Sequence, residues 1–237
     1  MISRRQLLQR RACLALLALP AACSIVPLPG LRRSALPAST AMPAVRPPAA
    51  GQTWSYRVLN AYNSEVRDLV QETVATIGPQ ITIERQSPRL GALPAEIQAP
   101  WGQVVQDPSW DMVQTYDTPL PLWLQPLAVG ASWSADTNYH AGTSSFRNWI
   151  SVQMRVAALE QVQLASGTFN TYRIEKFIRL THYDSSRSQC TRTDTLWFAP
   201  EVGRWVARET NGEYWRQGRR PTQYREDHLR WELEHWA

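Results

Sequence analysis

The run NWISVQMRVA, residues Asn148 to Ala157, sets Ile150, Val152, Met154 and Val156 against Ser151, Gln153 and Arg155 in strict alternation. A period of two is the repeat of a β-strand, whose successive side chains point to opposite faces, so this segment belongs in a sheet with one buried and one wet face. The pattern recurs. WSYRV alternates Trp54, Tyr56 and Val58, QITIER puts Ile81 and Ile83 together, and TYRIEKFIRL places Tyr172, Ile174, Ile178 and Leu180 on one face with Lys176 interrupting it. Ser166-Gly167 reads as the turn of one hairpin, and the stretch Pro200 to Gly203 as the turn of another. Half-buried strands joined by tight turns pair antiparallel.

Two segments fit either period. SEVRDLVQETVATI has helical spacing at Val66, Leu69, Val70, Thr73 and Ile77, yet its β-branched Val66, Val70 and Val74 suit a long strand. In DHLRWELEHWA, Leu229, Trp231 and Leu233 alternate, and both segments are assigned to strands. The stretch 88–127 is rich in proline and reads as irregular loop with room for one helix. AGQTWSY at 50–56 recurs as VGASWSA at 129–135, which suggests two consecutive meanders, 51–127 and 128–237. The expected fold is mostly β: an antiparallel meander forming a curved sheet or open half-barrel, with two candidate related halves.

The first fifty residues are different. Arg4, Arg5, Arg10 and Arg11 precede an apolar run from Ala12 to Ala22, followed by Cys23. Eleven residues are too short for a helix across a hydrocarbon core of ~30 Å, which needs about 20. A basic start, a short apolar stretch and small residues before a cysteine resemble a bacterial lipoprotein signal. The resemblance implies a signal peptide over 1–22, cleavage before Cys23 and acylation of that cysteine; Pro20 departs from the pattern, where an aliphatic residue is usual. SRRQLLQ, with Arg4 and Arg5, also resembles the twin-arginine export motif. Ser24 is not the aspartate associated with inner-membrane retention, so the expected location is the periplasmic face of the outer membrane, with a soluble periplasmic form as the alternative. Residues 23–50, dense in Pro, Ala and Ser, read as a tether carrying the lipid.

That division changes the charge. The whole chain carries +5, but seven of its 25 basic residues and none of its 20 acidic ones fall in 1–50, leaving 18 against 20 and a net −2 in residues 51–237. Nucleic acid is therefore not an expected partner. Cys13 leaves with the signal and Cys23 is acylated, so Cys190 stays in the domain without a disulfide partner and reads as a half-buried strand residue.

LPLWLQPLAVGASW, VQLASGTFNTYRI and TLWFAPEVGRWVARE follow one another between Leu120 and Glu209. They resemble a group of proteobacterial periplasmic and outer-membrane lipoproteins of unknown function that carry VGxxW, AGTF and LWYAPxVG motifs. Ala165-Ser166 and Phe198 depart mildly from that pattern. The resemblance implies an antiparallel sheet wrapped into an open barrel like those of carriers for lipids or lipoproteins, and it brings no catalytic residues.

Eleven tryptophans exceed ordinary usage. Most belong to core and rim, while Trp101, Trp110 and Trp123, in the irregular middle stretch, are candidates for an apolar ligand face. Arg216, Arg219, Arg220 and Arg225 are candidates for contact with phosphate headgroups or acidic glycans. His228, Glu232 and His235 share a face only on a helix, so no metal site is expected, and no cofactor is implied. His182 and Asp184 could orient one another, but no serine motif supplies a nucleophile. The expected function is non-enzymatic: a monomeric envelope lipoprotein, membrane-attached through its lipid, that binds or carries an apolar ligand or an envelope protein. The alternative is a structural accessory subunit scaffolding an envelope complex.

Overall fold

A computed structural model describes residues 28–226 and 228–237. Cys23, Arg4 and Arg5 lie outside the described residues. The strands are β1 (Arg32–Ala35), β2 (Thr53–Asn60), β3 (Val66–Thr76), β4 (Ile81–Ser87), β5 (Gly91–Gln98), β6 (Gln103–Asp107) and β7 (Gln114–Pro121). They continue as β8 (Ser132–Ala141), β9 (Asn148–Leu164), β10 (Gly167–Leu180), β11 (Arg187–Ala199), β12 (Arg204–Arg216), β13 (Thr222–Arg225) and β14 (Leu229–Trp236).

Every pairing is antiparallel, and the order runs β9-β10-β11-β12-β14-β2-β3-β4-β5-β6-β7-β8 before β8 pairs β9 again. The expected curved antiparallel meander is thus present, and it closes: Ser132 to Tyr139 of β8 register with Arg155 to Asn148 of β9. Twelve strands make the ring, with β1 and β13 outside it. Both ambiguous segments are strands, β3 and β14. The β9–β10 turn is Ala165-Ser166, one residue earlier than the sequence suggested, since Gly167 already pairs Leu164.

Two expectations are corrected. The stretch 88–127 contains β5, β6 and β7, not irregular loop. Its prolines sit where a missing N–H breaks no ladder bond: Pro94 falls in the bulge where β4 skips between Glu96 and Leu93, and Pro119 lies beyond the three residues of β7 that pair β8. Residues 28–50 do not hang free as a tether. They cross the outside of the barrel, with the Leu28 N–H donating to the Ala61 carbonyl (3.3 Å) and the Arg46 N–H to the Pro200 carbonyl (2.8 Å). Midway, β1 pairs residues 160–163 of β9, where that strand has outrun β8. The strap therefore covers an edge that would otherwise expose unpaired backbone. Gly203 (φ +72°) makes room for it, because a Cβ there would come within 2.7 Å of the Arg46 carbonyl.

Because the strands form a meander, the turns alternate between two ends. The lower rim carries the connections 61–65, 88–90, 108–113, 142–147, 181–186 and the β12–β13 tip at 217–221; the upper rim carries 77–80, 99–102, 122–131, 165–166 and 200–203.

Candidate functional site

An eight-stranded barrel is about filled by its own side chains, so twelve strands enclose more volume than aliphatic residues alone would occupy. Here the excess is taken up by large aromatics and by buried charge. Trp54, Tyr56, Tyr139, Phe198 and Trp205 are all buried, and Tyr56 stacks on Trp205 with ring centroids 4.1 Å apart.

Two ionic clusters lie inside. In the first, Arg204 of β12 is completely buried (0% exposed) and donates Nε to Glu72 (2.7 Å) and both terminal nitrogens to Glu96 (3.1 and 3.0 Å). Arg85 donates to the other Glu72 oxygen at 3.3 Å, and Gln98 to Glu96 at 2.5 Å. Burial pushes the Glu96 carboxyl up, but the Arg204 charge and hydrogen bonds outweigh it and hold Glu96 below its ordinary value. In the second, Asp194 accepts from Arg192 (2.7 Å) and Arg208 (2.5 Å), whose charges overcome burial and hold the acid well down.

Lys176 completes this second cluster. It is the chain's single lysine among 25 basic residues. Its backbone lines the outer wall, but its ammonium group points inward and donates to the Pro121 carbonyl at 3.0 Å. Burial lowers it to about 8, against the opposing pull of Asp194. The gap left among Lys176, Asp194, Arg208, Ile150 and Val152 is only about 30 Å³, room for roughly one water molecule.

Of the three candidate ligand-face tryptophans, the structure packs Trp101 against Trp123 (ring centroids 5.6 Å apart) and places Trp110 apart from them. Trp123 is a core residue, buried against Phe198 (4.6 Å) and Gly102, where any Cβ would meet its ring at 2.6 Å. Trp101 is half-buried between Trp123 and Trp54. Trp110, in the β6–β7 connection, donates to Asp107 (3.2 Å) and the Tyr116 hydroxyl (3.0 Å) beneath the Arg192 guanidinium, 4.2 Å from its ring. They do not form one face: Trp101 and Trp123 pack together in the upper connections, and half-buried Trp110 borders the hollow at the lower mouth.

At the lower mouth the 108–113 connection folds across the opening. Asp111 accepts from the Tyr183 hydroxyl at 3.1 Å and lies 3.5 Å from Arg187, and its hydrogen bond with His182 lowers its carboxyl despite partial burial. Arg187 also covers the Tyr214 ring at 4.6 Å. Above them an open hollow of about 400 Å³ holds Arg192, Arg225 and Glu226, the last raised by burial. His182 and Asp184 are indeed neighbours, through the Asp184 N–H donating to His182 Nδ1 (3.0 Å), and Asp184 also lies 3.6 Å from Arg187. Buried Cys190 is pushed up to about 11, which suppresses its thiolate. His228 and Glu232 face different partners, Glu209 (3.9 Å) and Arg57 (3.0 Å). Arg216, Arg219, Arg220 and Arg225 are all exposed on the β12–β13 hairpin.

A third region was missed by sequence reasoning. The outer wall of β8, β9, β10 and β11 forms an open groove of about 760 Å³, lined by Ser134, Arg155, Glu175, Phe177, Thr193 and Thr195. The Arg155 Nε donates to Glu175 at 2.7 Å beside exposed Phe177. The available signal was Phe177 itself, an apolar residue on the wet side of an otherwise clean alternation.

No protein-family model and no curated protein matches the chain. Two solved structures share its fold. One, a protein from Bacteroides fragilis described as exported and as having a YmcC-like fold, is 14% identical and superposes with a TM-score of 0.52 over 82% of this chain and 99% of its own. The other, from Parabacteroides distasonis and described as a lipoprotein, is 12% identical with a TM-score of 0.50 over 84% of this chain and all of its own. At these identities the likeness is one of fold.

Proposed function

We propose that the chain is an envelope lipoprotein, attached through Cys23 at the periplasmic face of the outer membrane, that works by binding at its surface as an accessory module of an envelope complex. The observation that carries this is the filled, charge-paired interior. Small-molecule sites run to roughly 300–1,000 Å³, ten or more times the 30 Å³ gap beside Lys176. An apolar cargo inside would also have to lie against Asp194, Arg208 and Glu96, at a steep desolvation cost. The non-enzymatic reading is supported by the pairing of the mouth's acids and the suppressed Cys190 thiolate.

The β8–β11 groove offers a binding surface outside the barrel. An exposed ring flanked by an ion pair and threonines suits a protein segment that offers an apolar side chain within a polar frame. A second reading, a carrier of a small apolar ligand, is favoured only by the size of this groove, which falls in the small-molecule range. A photo-crosslinking residue at position 177 of the full chain, expressed in its own envelope, separates the two. A single protein adduct, lost in Glu175→Arg, supports the accessory role; an adduct of lipid mass supports the carrier; no adduct beyond that formed from a crosslinker at exposed Glu84, outside the groove, removes the groove from both.

A further inference from the structure

We infer that the lower rim is a membrane-docking face, built to rest on a surface of anionic phospholipid. The inference deepens the proposed function by fixing which end of the barrel faces the bilayer, and it rests in part on acylation at Cys23.

The path of the chain gives the first argument. The strap begins at the lower rim, where Leu28 is bonded to Ala61 at the end of β2, and only then climbs to the upper rim at Pro200. Cys23 is five residues before Leu28, and five residues reach at most ~17 Å. An acyl chain on Cys23 therefore holds this end against the bilayer, with the upper rim pointing away.

The surface gives the second. Among the described residues, five of the thirteen exposed large hydrophobics lie in the lower connections (Tyr62, Leu90, Met112, Phe146 and Tyr183) and four more, Val66, Trp149, Trp215 and Tyr224, on the strand ends beside them, against two on the upper rim, Ile77 and Val129. Phe146 is 79% exposed at the tip of the 142–147 connection. Aromatic and long apolar tips ringing one end are what a headgroup boundary accepts, and a wholly aqueous surface has no use for so many on one side.

Charge gives the third. Arg216, Arg219, Arg220 and Arg225 project from the same rim, and none has a carboxylate within ion-pair distance among the described residues. The acids near them face other partners: Asp111 meets Tyr183 and Arg187, Glu226 lies 3.9 Å from Arg187, and Glu213 accepts from Gln223. A domain that is net negative thus turns unpaired cations toward the end from which its anchor leaves.

The connections also act as one surface. Met112 lies against Gly142, Asp111 binds Tyr183, Arg187 approaches Glu226 (3.9 Å), and the Tyr62 hydroxyl donates to the Glu226 carbonyl (3.2 Å). The Gln217 N–H also donates to the Ser186 carbonyl (2.8 Å), so five of the six lower connections are joined directly or through residue 226, and the apolar tips and the arginines meet a flat partner together.

The test uses the mature protein from its own envelope, reconstituted on vesicles of phosphatidylcholine and phosphatidylglycerol at 7:3. Single fluorophores are placed through Phe146→Cys, Arg219→Cys and Val129→Cys, with Cys190 too buried to compete. Quenching by brominated lipid is expected at 146 and 219 and not at 129. Changing Arg216, Arg220 and Arg225 to Gln should largely abolish quenching at 146, since three losses of roughly fivefold each lower the docking equilibrium about a hundredfold, and added salt should mimic this. Fold is checked by an unchanged unfolding midpoint. Quenching at 129 equal to that at 146, or quenching at 146 that is the same on pure phosphatidylcholine and survives loss of the arginines, overturns the inference; absence of quenching at 146 on either lipid overturns it too and would point to an acidic protein or glycan as the rim's partner. The intact mass of the mature chain tests Cys23 separately. If it carries no acyl group, that reading fails, and sedimentation of the same mature chain with 7:3 against neutral vesicles decides the rim alone.

Discussion

Replacing Arg204 by Met tests whether the buried ion pairs hold the barrel together. Arg204 is fully buried, makes three hydrogen bonds to Glu72 and Glu96, and lies over the Trp54 and Trp205 rings at 5.2 and 5.6 Å. Met fills much of the same volume but brings no charge, so Glu72 keeps only Arg85 and Glu96 keeps only Gln98. Removing one member of a buried pair costs about 3–5 kcal/mol. At roughly 2–4 °C per kcal/mol for a domain of this size, the unfolding midpoint should fall by about 6–20 °C at pH 7. The pH dependence gives a sharper check. In the native protein Glu96 is held below its ordinary 4.5, so it contributes stability above that pH which is lost as pH falls further. Without Arg204, burial raises Glu96, and the contribution changes sign: the deficit of the variant should shrink as pH drops from 7 toward 5. Chemical denaturation at pH 7 and pH 5 reads both effects. A loss below about 1 kcal/mol at pH 7, or a deficit that does not change with pH, would refute the reasoning.

Lys176, the single lysine, should resist an amine-reactive acylating reagent at pH 8 in the folded protein and react only on unfolding, read by peptide mass mapping; ready labelling would place its amine outside the barrel. Because burial lowers it to about 8, its folded-state stability contribution is present at high pH and lost as pH falls through 8, so Lys176→Met should gain on wild type as pH drops from 10 to 7. Cys190, pushed up to about 11, should be unreactive to a disulfide reagent at pH 8 until denaturant is added. Gly203→Ala strains a left-handed backbone and drives a Cβ toward the Arg46 carbonyl; a loss of about 1–3 kcal/mol together with faster proteolysis within 37–50 is expected, and unchanged strap protection would contradict the role given to that contact.

Much of the wall was legible because alternation reports directly which face of a strand is buried, as in β4, β9 and β10. Closure was not, since a period of two is silent about which strand lies next, and the β8–β9 pairing that seals the ring looks like any other hairpin. The strands β5 to β7 were hidden by prolines whose harmlessness depends on a bulge and an unpaired stretch visible only once the partners are known. The strap was misread for a similar reason: Pro- and Ala-rich composition says that a segment cannot fold alone, not that it cannot lie on something already folded. Of the interior charge, Lys176 was the one visible trace. Arg204 is 108 residues from Glu96 and 132 from Glu72, so only the fold brings them together. Trp101, Trp110 and Trp123 are neighbours in sequence distance only, and which of them share a surface depends on the alternation of connections between the two rims, which the composition of 88–127 does not reveal.

Native mass spectrometry of the mature protein, extracted from its own envelope and released gently from detergent, tests the central claim most directly. A chain whose interior is filled by paired charge should appear at its own mass plus the anchor alone, and should hold no second lipid at any collision energy that leaves it folded. A stoichiometric apolar molecule that survives those conditions and is lost in Trp123→Ala would contradict the account and make the barrel a carrier.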